Sequence, residues 1–214
     1  MSSGGERRPY AEAMPRAEAV VKMLADVCQC IEIAGSLRRC RETVGDVEIV
    51  AQPKAARHLL NRLDALLLKG TISKALYGEG AATRWGEKYR GFVFEGMRFE
   101  VFLADENNLG YILWLRTGPG DANTYVMQAC ARKACPVSAR GGYWWHRENR
   151  LRVDSEATLF ALLGMGWLEP RLRRVEVYYE QLNRRGHHWM PAAALEALYV
   201  DESQPVEPVQ RRLL

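Results

Sequence analysis

The sequence predicts an α+β chain in which a mixed or mainly antiparallel sheet backed by helices is followed by a smaller C-terminal lobe. Three observations carry this. Apolar residues at helical intervals, Met14, Ala17, Val20, Val21 and Leu24, precede two short runs of strand character at residues 31–34 and 46–50. A hairpin pattern at residues 91–94 and 97–103 surrounds Glu95-Gly96, where glycine eases a tight turn. The chain then changes character at Thr117-Gly118-Pro119-Gly120-Asp121, a passage rich in turn-forming residues. The expected division is residues 1–109, residues 110–200 and a tail at 201–214.

Taken in order, residues 11–27 form the first predicted helix, and the strand at 31–34 stops at Gly35-Ser36. The second strand, 46–50, ends at Gln52-Pro53. Residues 54–69 place Leu59, Leu60, Leu63, Leu66 and Leu67 on a helix, with Gly70 at its C-terminal side. After the hairpin comes an apolar segment at 110–115, and Asp121 reads as the cap of a helix over 122–133. Gly141-Gly142 marks a turn, and Asp154-Ser155-Glu156 opens an apolar helical pattern through Leu163. From Pro170 the chain is basic and partly helical, with Leu182, Leu195 and Leu198 available for packing, and residues 205–210 read as an irregular tail.

The length, 214 residues, suits one domain or two small lobes. A formal net charge of +4 tolerates a polyanionic partner without demonstrating one. Five cysteines, with no spacing that would enclose zinc, read as reduced structural thiols, and the four histidines form no metal or nucleophile constellation. No stretch of eighteen apolar residues and no basic leader with a long apolar core occur, so a cytoplasmic chain without a membrane partner is expected.

The chemistry concentrates in residues 35–48. On a strand, Asp46 and Glu48 point to one face and Val47 and Ile49 to the other, with the acidic Cα atoms roughly 6 to 7 Å apart. Two carboxylates at that separation can converge on a shared divalent cation, which converts their repulsion into attraction. An acid-x-acid pair alone more often marks a solvated edge. Alternation adds a third acid: Phe99, Val101 and Leu103 share one face of their strand and Glu100 takes the other, beside Asp46 and Glu48 if the two strands pair. Gly35 permits a close turn, Ser36 can cap the next short helix or meet a phosphate, and of Arg38 and Arg39, which face different directions on a helix, Arg39 is the first choice to approach one. Surface ion pairing of Arg39 and Arg41 is the plain alternative.

The stretch G-S-L-R-R followed by V-G-D-V-E-I-V resembles the nucleotide- and metal-binding motif of the DNA polymerase X family, within the polymerase-beta-like nucleotidyltransferase superfamily. It is particularly similar to the short phage and prophage members that lack the N-terminal lyase domain. Leu115-Arg116-Thr117-Gly118 followed by Asn123 resembles the family's aromatic-aromatic-Thr-Gly segment and its later Asn, with the aromatics absent. Residues 154–171 are similar to the end of the family's catalytic core, so the resemblance spans roughly Ala11 to Arg174. It implies a nucleotidyltransferase palm with a thumb-like C-terminal lobe. It also implies Mg²⁺ or Mn²⁺ held by Asp46, Glu48 and Glu100, and a nucleoside triphosphate, a dNTP before an NTP, held by Gly35, Ser36, Arg39, Gly45, Thr117, Gly118 and Asn123. The implied activity is addition of nucleotides to a DNA 3′ end by a monomer. Two departures stand out: Glu replaces Asp at 48 and 100, and Met127 takes the place of an Arg that touches the template side.

A DNA primer or primer-template is expected to cross the surface bearing Arg171, Arg173, Arg174, Arg184 and Arg185, with Lys88 and Arg90 on the opposite lobe. Such contacts confer salt dependence and not base specificity. Tyr143-Trp144-Trp145 either stacks on a base or fills the junction between lobes, packing being favoured. An RNA or small-substrate nucleotidyltransferase and a noncatalytic nucleic-acid-binding module remain alternatives.

Overall fold

The computed structural model describes residues 6–78 and 82–201. Its first half runs β1 (Arg8–Pro9), α1 (Tyr10–Leu24), β2 (Cys28–Ile33), α2 (Gly35–Arg38), β3 (Thr43–Val44), β4 (Val47–Pro53) and α3 (Ala56–Leu68). Then come β5 (Ser73–Lys74), β6 (Leu76–Tyr77), β7 (Ala82–Thr83), β8 (Tyr89–Phe94) and β9 (Met97–Leu103). The second half comprises α4 (Leu109–Thr117), α5 (Gly120–Arg132), β10 (Val137–Arg140), β11 (Tyr143–His146), β12 (Asn149–Leu151), α6 (Glu156–Leu162), α7 (Val175–Asn183) and α8 (Ala192–Glu196).

The architecture is α+β around a mixed five-stranded sheet of order β2-β4-β9-β8-β5. Strands β4 and β9 run parallel, and the other pairs are antiparallel. Period-two alternation decides which face is dry. Val47, Ile49, Ala51, Phe99 and Val101 are fully buried and pack with Ala13, Ala17, Val20 and Leu24 of α1 and Leu59 and Leu63 of α3. On the opposite face Val50 and Phe102 are covered by Leu113 of α4, so this helix lies over the side on which Glu48 and Glu100 emerge. A second large apolar cluster gathers residues 111–195 around Trp114, Trp144, Phe160 and Tyr178.

Several element ends differ from expectation for physical reasons. Helix α1 stops at Leu24 and residues 25–27 tighten into a 3₁₀ turn, which aims the chain back into β2. Asp46 sits one residue before β4. Pro119, not Asp121, occupies the N-cap of α5; Asp121 lies in its first turn, where Oδ1 accepts the Ala122 amide at 2.8 Å. Ala34 holds the N-cap of α2, so Ser36 caps nothing. Ser155 does cap α6, accepting from the Thr158 amide at 3.1 Å. The tail at 205–210 lies outside the described residues. Among the described residues no helix is long and apolar enough to cross a membrane.

Candidate active site

In the parallel pairing of β4 and β9, Glu48 stands directly opposite Glu100. Both side chains leave the sheet on the face away from α1 and α3, and Asp46 lies immediately before the first residue of β4. The β4–β9 register thus brings together carboxylates separated by more than fifty residues of chain, with Gly45 in the bend that delivers Asp46.

Their charges interact. Burial pushes the Glu48 carboxyl up to about 7, and the negative charges of Asp46 and Glu100 add to the rise while Arg116 and Arg39 oppose it. Asp46 is likewise raised, by burial first and then by Glu100, with Arg98 and Arg7 opposing. Like charges gathered in a partly dry face are the condition that an oxygen-seeking divalent cation relieves. The all-carboxylate donor set suits Mg²⁺ or Mn²⁺. The acids form a loose set as placed. Glu48 reaches toward Gly35 while Glu100 accepts from Tyr77, and among the described residues no group of three or more His, Cys, Asp or Glu forms a ready-made metal cage.

Gly35 matters for two reasons. Its φ is +65°, which an L side chain adopts only with strain, and a Cβ there would lie 2.5 Å from Glu48 Oε2. The close approach at this glycine is therefore that of a carboxylate. The one-turn helix α2 then points Arg38 and Arg39 to different partners. Arg38 is bound to Glu156 by two bonds of 2.9 Å and donates to Thr117 Oγ1 at 2.8 Å. Arg39 donates to the Thr117 carbonyl, and its buried Nε has no protein partner.

The Thr117-Gly118 turn faces this arginine. A Cβ on Gly118, whose φ is +67°, would stand 3.0 Å from Arg39 Nη1. Asn123 braces the turn from α5 by donating to the Leu115 carbonyl at 2.8 Å, and its buried Oδ1 is without a partner. Arg39, Thr117, Gly118 and Asn123 therefore meet across the junction of α2, α4 and α5, on the side of the sheet where the acids emerge, while Ser36 lies in the first turn of α2 with its carbonyl accepting the Arg41 amide.

Beside Glu100 opens a cleft of about 900 Å³, lined also by Tyr89, Phe102, Arg84, Lys88 and Arg116 but not by Asp46 or Glu48. Tyr143 lines it also, while Trp144 is fully buried against Tyr111, so the aromatic triplet divides between cleft and core. Arg116 places its guanidinium 3.7 Å over the Phe102 ring. The sequence marked that position only as a missing aromatic.

Of the basic residues expected on the surface, Lys88, Arg171, Arg174, Arg184 and Arg185 are exposed. Two expectations need correction. Arg90 is only 7% exposed, donating to Asp64 Oδ1 at 2.7 Å and to the Leu60 carbonyl at 2.9 Å. It pairs with Val101 and so belongs to the helix-covered face. Arg173 is buried too, donating through Nη1 and Nη2 to the two carboxylate oxygens of Glu156. Burial pushes the Glu156 carboxyl up, but hydrogen bonds from Arg173 and Arg38 outweigh it and hold the group below its ordinary value. Glu156 thus fastens α2 to the C-terminal half. The five thiols are free, and Cys130 and Cys135 are neighbours at the end of α5.

Compared with protein-family models and with curated protein sequences, the chain matches none.

Proposed function

We propose that this chain is a metal-dependent nucleotidyltransferase that adds a nucleotide to the 3′ end of a DNA strand. One observation carries the reading: Glu48 and Glu100 face each other across parallel strands with Asp46 beside them, and burial, reinforced by the neighbouring negative charges, raises the Glu48 carboxyl to about 7. The resemblance to the polymerase X family supports it. So does the meeting of its two short motifs at Arg39 and Thr117. A deoxynucleoside triphosphate fits the expected chemistry better than a ribonucleotide only by that resemblance.

Asp46, Glu48 and Glu100 would hold Mg²⁺ or Mn²⁺, which when bound supplies Lewis acidity to the attacking hydroxyl and counter-charge to the triphosphate. The protein's own groups do the rest. Arg39, already half committed to the Thr117 carbonyl, retains a buried Nε that a phosphate oxygen can satisfy. Asn123 Oδ1 is a free acceptor beside the turn, suited to a sugar hydroxyl. The 3′ hydroxyl gives up its proton to solvent as its oxygen attacks the α-phosphorus, the bond from that phosphorus to the oxygen bridging to the β-phosphate breaks, and pyrophosphate leaves with its charge facing Arg39 and Ser36. The exposed Lys88, Arg171, Arg174, Arg184 and Arg185 give the DNA backbone its counter-charge. The reaction belongs in the cytoplasm and needs one copy of the chain.

The test incubates labelled single-stranded, recessed and gapped DNA, and matching RNA, with single dNTPs or NTPs and each metal. Extension of DNA by the parent protein, reduced at least about a hundredfold in Asp46→Ala, supports the reading. Absence of product on every substrate, or equal product from Asp46→Ala, rejects it.

A further inference from the structure

Glu100 is held from outside the strands that carry the acids. Strand β6 brings Tyr77 across the sheet face, and the Tyr77 hydroxyl donates to Glu100 Oε1 at 3.0 Å while sharing a 3.0 Å bond with the Tyr89 hydroxyl. Tyr77 is only 7% exposed although β6 itself lies at the margin. Its ring is clamped between cations, with Arg84 4.2 Å from its centroid and Arg98 4.9 Å from it. Tyr89 is fixed in turn by stacking on Phe102 at 4.7 Å.

The sheet makes room for this. Gly91 pairs with Glu100 in the antiparallel β8–β9 register, so its missing side chain would project beside the carboxylate. A Cβ there would lie 2.1 Å from the Tyr77 oxygen and 3.0 Å from the ring carbon bearing it. Gly91 thus leaves the space that the tyrosine hydroxyl occupies.

We infer that Tyr77 is a positioning residue for the metal site: its hydroxyl, seated in the notch at Gly91, fixes Glu100 through Oε1. The inference rests on the reading of Glu100 as a cation ligand. A carboxylate with one oxygen already fixed offers its other oxygen without losing rotamer freedom at the moment of binding. Hydrogen-bond partners of ligating carboxylates typically govern metal affinity by about 10- to 100-fold. Tyr77 touches no reacting atom; it acts through Glu100.

The test measures Mn²⁺ binding by electron paramagnetic resonance, without nucleotide, in the parent, Tyr77→Phe, Gly91→Ala and Glu100→Gln. Phenylalanine keeps the ring between Arg84 and Arg98, so the fold should survive; a melting curve checks this. The expected result is about tenfold weaker Mn²⁺ binding in Tyr77→Phe, a similar loss in Gly91→Ala, and a larger one in Glu100→Gln. In extension assays the Mn²⁺ concentration for half-maximal rate should rise by the same factor while the KM for nucleotide holds. Parent-like Mn²⁺ binding by Tyr77→Phe, with Glu100→Gln impaired, overturns the role of Tyr77 and leaves the metal site standing. Parent-like binding by Glu100→Gln, or no binding by the parent, overturns both.

Discussion

Replacing Glu48 by Gln should stabilise the metal-free protein at pH 8 and do little at pH 4.5. The Glu48 carboxyl titrates at about 7 in the fold against an ordinary value of 4.5, so the native state binds its proton more tightly than the unfolded chain. Between those values the native state holds more protons, and stability falls as pH rises; above about 7 the loss is complete. A difference of about 2.5 units corresponds to about 3 kcal/mol at most. Glutamine keeps the shape and removes the titration. Its melting temperature at pH 8 should exceed the parent's by about 6 to 12 °C, since 1 kcal/mol moves a chain of this size by about 2 to 4 °C. Asp46 shifts in the same sense, whereas Glu156, held low by its arginines, contributes stability that is lost only on acidification below its ordinary 4.5. Circular dichroism melts with EDTA at pH 4.5, 6 and 8 separate these ranges. An equal effect of Glu48→Gln at all three pH values, or destabilisation at pH 8, would refute the idea of a charge-strained site.

Further expectations follow from the same residues. Millimolar Mn²⁺ should raise the parent's melting temperature more at pH 8 than at pH 5, because cation binding is coupled to loss of the carboxyl proton; scanning calorimetry reads the difference. Gly35→Ala should cost about 1 to 2 kcal/mol in urea denaturation through its positive φ, and it should reduce metal-dependent extension because the new Cβ displaces Glu48. Glu156→Ala should destabilise by about 3 to 5 kcal/mol, since it strands the fully buried Arg173 without a counter-ion. Replacing Arg174 and Arg185 by Gln should flatten the salt dependence of DNA binding by about one unit of slope for each phosphate no longer neutralised, whereas Arg90→Gln should act on folding.

Much of the sheet could be read from the sequence because alternation is a local property. The burial of Val47, Ile49, Phe99 and Val101 and the opposite exit of Glu48 and Glu100 follow from period two alone. That these strands pair in parallel with Glu48 opposite Glu100 does not, because register is set by packing between distant segments. Arg90 shows alternation left unused: Tyr89 and Gly91 share the face of Glu100, so the arginine between them must turn toward α3. Arg173 was beyond such reasoning. Its burial depends on Glu156, seventeen residues away, and on Arg38 across the junction. Tyr77 was hidden for a similar reason, lying on a two-residue strand whose importance comes only from the notch at Gly91.

The proposed role of the acids around the β4–β9 register in nucleotide transfer is tested by extension of a labelled DNA primer by purified parent and Asp46→Ala proteins with Mn²⁺ and single dNTPs. The parent should give products one or more nucleotides longer and the variant should lose at least about a hundredfold in rate, with circular dichroism showing both proteins folded. Equal extension by the two proteins would contradict it.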